Sequence, residues 1–170
     1  MCERGLTLIE LLITLSILSV LLLVATPRIG EQIEASRTRA AADQLLQAIQ
    51  LTRNKAVTTN RRATLRKIGN WEAGWEIFYD RDFDGERDGD EPAIAIGNPI
   101  KGVEIKANGP LANYVSFVGT GESRTAGTLS GGALGMGSFT ICSANGQGGY
   151  KLTLANTGRV RQQRISVEDC

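Results

Sequence analysis

The stretch from Leu6 to Ala25 reads LTLIELLITLSILSVLLLVA, twenty residues with a single charge at Glu10. At 1.5 Å per residue a helix of that length measures about 30 Å, the thickness of a bilayer's hydrocarbon core. The run is apolar all round rather than along one stripe, so the sequence predicts a membrane-spanning helix, not the flank of a soluble core. A secretory signal peptide fits less well. Its basic region would be only Met1-Cys2-Glu3-Arg4-Gly5, and Pro27 stands where a small-residue cleavage site should be followed by an easily cut bond.

Past Pro27 the pattern becomes amphipathic. Ile29, Ile33, Ala41, Leu45, Ala48, Ile49, Thr52 and Ala56 recur mostly three or four apart, one stripe of a helix. Arg28, Arg37, Arg39, Arg53 and Lys55 lie between them and read as a solvated face. After Thr58 the period shortens to runs rich in β-branched and aromatic residues: 63–68, 75–79, 103–106, 114–118, 139–142 and 151–154. Clusters such as Gly97-Asn98-Pro99 and Gly146-Gln147-Gly148-Gly149 separate them as turns. The expected class is therefore α+β, one long helix, transmembrane and then amphipathic, packed on an antiparallel β-sheet. A chain of 170 residues carries one such domain. The predicted organisation is a leader over 1–5, a transmembrane and assembly helix over 6–26, an amphipathic helix over 27–60 and a β-rich globular domain over 61–170.

Composition argues against an enzyme. No histidine is present, which removes the commonest general base and neutral metal ligand, and no nucleophile motif of the G-x-S-x-G kind occurs. The net charge of +1 hides an uneven distribution of nineteen basic and eighteen acidic side chains.

Glu10 is costly inside hydrocarbon unless it is paired. The run Gly5-Leu6-Thr7-Leu8-Ile9-Glu10 resembles the prepilin processing motif of type IV pilin-like subunits: a glycine, a cut, an apolar residue, and glutamate fifth in the mature chain. Phenylalanine is usual at the position of Leu6. The resemblance implies cleavage after Gly5 by a prepilin peptidase, methylation of the new terminus on Leu6, and insertion in the bacterial inner membrane. It also implies a helix bent near Pro27 and an exported, periplasmic carboxy-terminal domain. The cationic terminus of one subunit would neutralise Glu10 of its neighbour, so other pilins or pseudopilins are the expected partners.

Within that superfamily the segments Leu45 to Val57, Gly74 to Asp80, and Asn156-Thr157-Gly158-Arg159-Val160-Arg161 are similar to the GspH/FimT group of minor subunits. The implied fold is the type IV pilin fold. The implied function is a minor pilin, with a GspH-type pseudopilin of type II secretion as the alternative.

Three further features carry expectations. Removing the leader takes Cys2 away and leaves Cys142 and Cys170, an even pair for an oxidising compartment, either bridged or as two thiols. Asp80, Asp82, Asp84, Gly85 and Glu91 follow the D-x-D-x-D-G-x5-E spacing of a calcium loop, with Glu86 and Asp88 between. Its flanks read as strand and turn rather than as helices, so a calcium site and a metal-free acidic turn both stand, and no other cofactor is expected. Lys151, Arg159, Arg161 and Arg164 form a basic segment without an acidic neighbour. The G-R-x-R run beginning at Gly158 is similar to the tail by which FimT-type pilins bind incoming double-stranded DNA. Structural arginines at the sheet edge, pairing with Glu168 or Asp169, are the other reading.

Overall fold

The computed structural model describes residues 7–126, 132, 134 and 136–170, without the side chains of 24–28. Gly5 and Leu6 lie outside the described residues. Helix α1 runs from Leu8 to Thr59 and passes through Pro27 without interruption, so the two predicted helical segments are one element. Thr7 caps it, its hydroxyl accepting from the Glu10 N–H at 3.3 Å. Asn60 ends it in the left-handed region at φ 50°. Side chains from Leu8 to Leu23 are exposed on every face of the helix. Among the described residues no helix is long and apolar enough to cross a membrane. The predicted span, Leu6 to Ala25, begins at a residue and ends among side chains outside that description.

Strands β1 (Ala63–Ile68), β2 (Asn70–Tyr79), β3 (Ala93–Gly97), β4 (Val103–Ala107), β5 (Tyr114–Phe117), β6 (Gly137–Ser143), β7 (Gly149–Leu154) and β8 (Val160–Ile165) follow. They form two four-stranded sheets, β3-β2-β1-β5 and β4-β6-β7-β8, where one sheet was expected. All pairings are antiparallel. The six predicted runs correspond to β1, β2 and β4 to β7, while β3 and β8 lie outside them. A 3-10 turn, Gly109–Ala112, carries the buried Leu111, whose carbonyl accepts from Trp71 Nε1 at 3.2 Å.

The core lies where α1 meets both sheets. Ala41, Ala42, Leu45, Ala48, Ile49 and Ala56 face Leu65, Ile77, Val115 and Phe117 of the first sheet and Ile105, Phe139, Ile141, Leu152 and Leu154 of the second. Ile29 and Ile33, expected on the same stripe, are 54% and 46% exposed. The buried stripe begins only at Thr38. Trp71 stands edge-on to Phe139 with ring centroids 4.9 Å apart, joining β2 of one sheet to β6 of the other.

Cys142 of β6 is bonded to Cys170, with their Cα atoms 5.8 Å apart. Two predictions follow from the core and the bridge. Leu45→Ala should cost about 2–5 kcal/mol in chemical denaturation of the detergent-solubilised chain, since Leu45 is fully buried between the sheets. Alkylation of the folded, unreduced chain should modify neither Cys142 nor Cys170, and reduction should lower stability by about 3 kcal/mol for a loop of separation 28. Two reactive thiols under those conditions would contradict the bridge.

Candidate functional site

The basic segment is sorted by the pleat of the second sheet. Leu152 and Leu154 of β7 point into the core, so Lys151 and Thr153 point out. Thr153 is registered with Arg161 and Lys151 with Gln163, which puts Arg161 on the same outer face. Arg159 precedes β8, in the turn after Gly158, and lines a cleft with Ile49 and Asn54 of α1. On the opposite face Gln162 donates from Nε2 to Asp43 Oδ1 of α1 at 3.0 Å. Arg164, registered with Tyr150, belongs to that helix side and lines a groove with Ala35 and Thr38. The structure therefore puts Lys151 and Arg161 on one outer face, sets Arg159 at the turn before β8 and places Arg164 on the helix side, a correction that the even spacing from Gln162 to Arg164 explains.

All four basic side chains are exposed. Among the described residues none of them enters an ion pair. Asp169 Oδ2 accepts from the N–H and the hydroxyl of Ser166 instead, at 3.3 and 2.9 Å. Lys106, registered with Thr140 and through it with Lys151, lies on the same outer face, where it pairs with Glu104 at 3.5 Å and donates to the Cys170 carbonyl at 3.0 Å.

Arg53 does not sit on a purely solvated face. It is half-buried, donating from Nε to the Gly121 carbonyl at 2.9 Å and from Nη2 to the Thr157 carbonyl at 3.2 Å. The turn it grips ends at Gly158, whose φ is +77° and where a Cβ would collide with the Gly121 carbonyl and crowd the Arg53 guanidinium. Arg53 thus helps to position the chain from which Arg159 projects, and the two line one cleft with Asn54 and Gln50. The signal was present in the sequence: Arg53 follows Ile49 by four and precedes Ala56 by three, the border of the buried stripe.

The acidic loop leaves β2 at Asp80 and closes over the back of the first sheet. Carboxylate oxygens of Asp80, Asp82 and Asp84 lie within 4.8 Å of one another. The other three expected carboxylates are engaged elsewhere or apart. Glu86 pairs with Arg66 at 2.7 Å. Glu91 is buried and accepts from the N–H groups of Arg81 and Asp88 at 2.6 and 3.2 Å, so it holds the loop's own backbone. Asp88 is exposed and outside the cluster. Its pKa is raised by desolvation and by the charges of Asp82, Asp84, Asp90 and Glu86.

Beneath the loop, Arg62 is buried, donating from Nε to Ser116 Oγ at 2.8 Å and from Nη2 to the Thr125 carbonyl at 2.5 Å. Its guanidinium stands 5.4 Å from the centroid of Phe83. Burial lowers its pKa, opposed by the charge of Asp80. Burial also raises the pKa of Asp80, opposed by the Thr64 hydroxyl that donates to Oδ2 at 2.9 Å and by the charge of Arg62. Neither Arg62 nor Thr64 was singled out from the sequence.

Glu10 is exposed on the first turns of α1 among apolar neighbours, and the side chain of Pro27 lies outside the described residues.

The family described as type II transport protein GspH matches residues 41–158, and the prokaryotic N-terminal methylation motif matches residues 1–26. No curated protein matches the chain in sequence. Among solved structures, the type IV minor pilin FimU of Pseudomonas aeruginosa PAO1 superposes with a TM-score of 0.57 at 18% identity, over 75% of this chain and 89% of FimU. The minor pseudopilin EpsH from the type 2 secretion system of Vibrio cholerae superposes with a TM-score of 0.50 at 12% identity, over 75% of this chain and 97% of EpsH. At these identities the two superpositions show a shared fold, a long amino-terminal helix packed on antiparallel sheets.

Arg53→Ala and Gly158→Ala should each lower stability by about 1–2 kcal/mol, the first by leaving two carbonyls without a donor and the second by strain at positive φ. Denaturation curves overlying those of the wild type would show that neither residue holds the turn.

Proposed function

Starting from the chain's membership of the GspH family, shown by a match over residues 41–158, we propose that it is a minor pilin-like subunit, built into an envelope filament through its amino-terminal helix. The observation that carries this reading is the form of α1 before Thr38. The segment from Leu8 to Leu23 is apolar, exposed all round and interrupted by one carboxylate, Glu10. Such a surface is unsatisfied in water and has two uses, insertion in a bilayer and packing against copies of the same helix. The subunit waits in the inner membrane with its sheets outside, is cut between Gly5 and Leu6, and enters the filament when Glu10 meets the cationic terminus of a neighbour. No bond-making chemistry is assigned to the chain.

A basic corner formed by Lys151, Arg159 and Arg161 favours the pilus setting, in which such a subunit contacts double-stranded DNA. Three exposed cations without acidic partners among the described residues suit successive phosphates, and guanidinium forks suit them best. Among the described residues neither an exposed recognition helix nor an aromatic platform accompanies them, so binding is independent of sequence. A secretion pseudopilin is the reading that stands if DNA is not bound.

Mass spectrometry of the mature protein should show an amino terminus at Leu6, and Glu10→Ala should insert in the membrane yet fail to enter filaments. Normal incorporation of that variant would remove the role given to Glu10. In fluorescence titrations the chain should bind duplex DNA of any sequence, with a slope of log affinity against log salt of about −3 for three neutralised phosphates. Arg159→Ala/Arg161→Ala should lose about two units of that slope, and Arg164→Ala should lose almost none. Equal binding by the double variant and the wild type would assign the arginines to structure alone.

A further inference from the structure

The acidic loop between β2 and β3 holds an oxygen atom that the fold leaves unanswered. Asp80 is 2% exposed, and while its Oδ2 accepts from Thr64 Oγ1 at 2.9 Å and from the Gly85 N–H at 3.2 Å, its Oδ1 has no hydrogen-bond partner among the described residues. A buried carboxylate oxygen without a donor costs about 1–3 kcal/mol or more, so natural folds rarely keep one without a ligand. The nearby guanidinium of Arg62 sends Nε to Ser116 and Nη2 to the Thr125 carbonyl. Beside Asp80 the loop presents the carboxylates of Asp82 and Asp84, both exposed.

We propose that Asp80, Asp82 and Asp84 bind one calcium ion, with the unpartnered oxygen of Asp80 as the buried anchor of the site. The three carboxylates offer oxygens within 4.8 Å of one another. Two ligands of one calcium ion, each about 2.4 Å from it, can be no farther apart than that. The donor set is all oxygen, with no histidine in the chain and with Cys142 and Cys170 bonded to each other, which suits a hard cation rather than zinc or copper. Gly85, at φ +79°, makes the sharp turn that brings Asp84 back toward Asp80. Glu91 is not required as a ligand in this arrangement, since its two oxygens hold the N–H groups of Arg81 and Asp88. Water completes the shell on the open side.

The ion would fasten the exit of β2 to the loop that leads into β3, the edge strand of the first sheet. Its role is structural and does not depend on the DNA-binding reading, which uses the other sheet.

The test is calorimetric titration of the detergent-solubilised full chain with calcium chloride, together with its melting curve in chelator and in calcium. The expected result is saturable binding of one ion per chain and a melting temperature that rises with calcium. Asp82→Asn/Asp84→Asn changes two exposed side chains and should weaken binding at least tenfold and abolish the thermal shift. Asp88→Asn, on the same loop but outside the cluster, should leave both unchanged. Absence of heat and of a thermal shift at millimolar calcium would overturn the proposal. So would equal binding by the double variant, or an equal loss in Asp88→Asn, which would mark a diffuse acidic surface.

Discussion

The fold depends on how closely α1 approaches two sheets at once. Between Thr38 and Ala56 the buried stripe is made mainly of small residues, Ala41, Ala42, Ala48, Thr52 and Ala56, with Leu45 and Ile49 as its large members. Small side chains let the helix backbone lie near both layers, and the bulk of the core is then supplied from the sheets by Phe117, Phe139, Leu65, Ile77, Leu152 and Leu154. A stripe of larger residues would hold the sheets away from the helix and open a gap between them. The same approach explains the buried threonines: Thr38 and Thr52 send their hydroxyls back to Glu34 and Ala48 carbonyls at 2.9 and 2.7 Å, so neither brings an unsatisfied donor into the core.

Much of this was legible in the sequence, and the part that was not has identifiable causes. The helix was readable because its two periodicities, all-round apolar and then one-sided, both belong to one element; its 52 residues match the expected fifty or so. The strands that were found are those buried on at least one face. β3 escaped because Ala93, Ile94, Ala95, Ile96 and Gly97 form a short edge strand with only partial burial, its two isoleucines interleaved with alanines and a glycine. β8 escaped because Val160, Arg161, Gln162, Gln163 and Arg164 contain a single large apolar residue before Ile165. Its place in the sheet is fixed by registry with β7, not by its own pattern. The division into two sheets could not be read at all, since antiparallel strands of either sheet share the same period.

The site residues divide in the same way. Cys142 and Cys170 were paired by counting, and the structure joins them. Arg159 and Arg161 were assigned to one face by the alternation of a strand, but that strand begins only at Val160 and Arg159 lines the α1 cleft, while adding Arg164 counted proximity in sequence as proximity in space. Of six acidic candidates in the loop, spacing recovered the three that cluster but could not show that Glu86 would be taken by Arg66 and Glu91 by the loop's own backbone. Arg62 lay beyond reach because a buried arginine at the start of a strand is recognised only from what surrounds it: here Ser116, Thr125 and Phe83, from three distant parts of the chain.

The bridge at the carboxy terminus fixes where the last residues lie on the second sheet. Cys142 is registered with Glu104 on one side and Gly149 on the other, so Cys170 is tied over the β4 and β6 half of the second sheet's outer face. There the terminal segment meets Lys106, which donates to the Cys170 carbonyl and lies 3.5 Å from Glu104. The acidic residues of the tail are thereby kept near β6: Asp169 is occupied by Ser166, and Glu168 enters no ion pair among the described residues. The bridge thus holds the last residue beside β4 and β6 on the outer face of the second sheet, and the net charge of +1 gives no sign of how charge is sorted along that face.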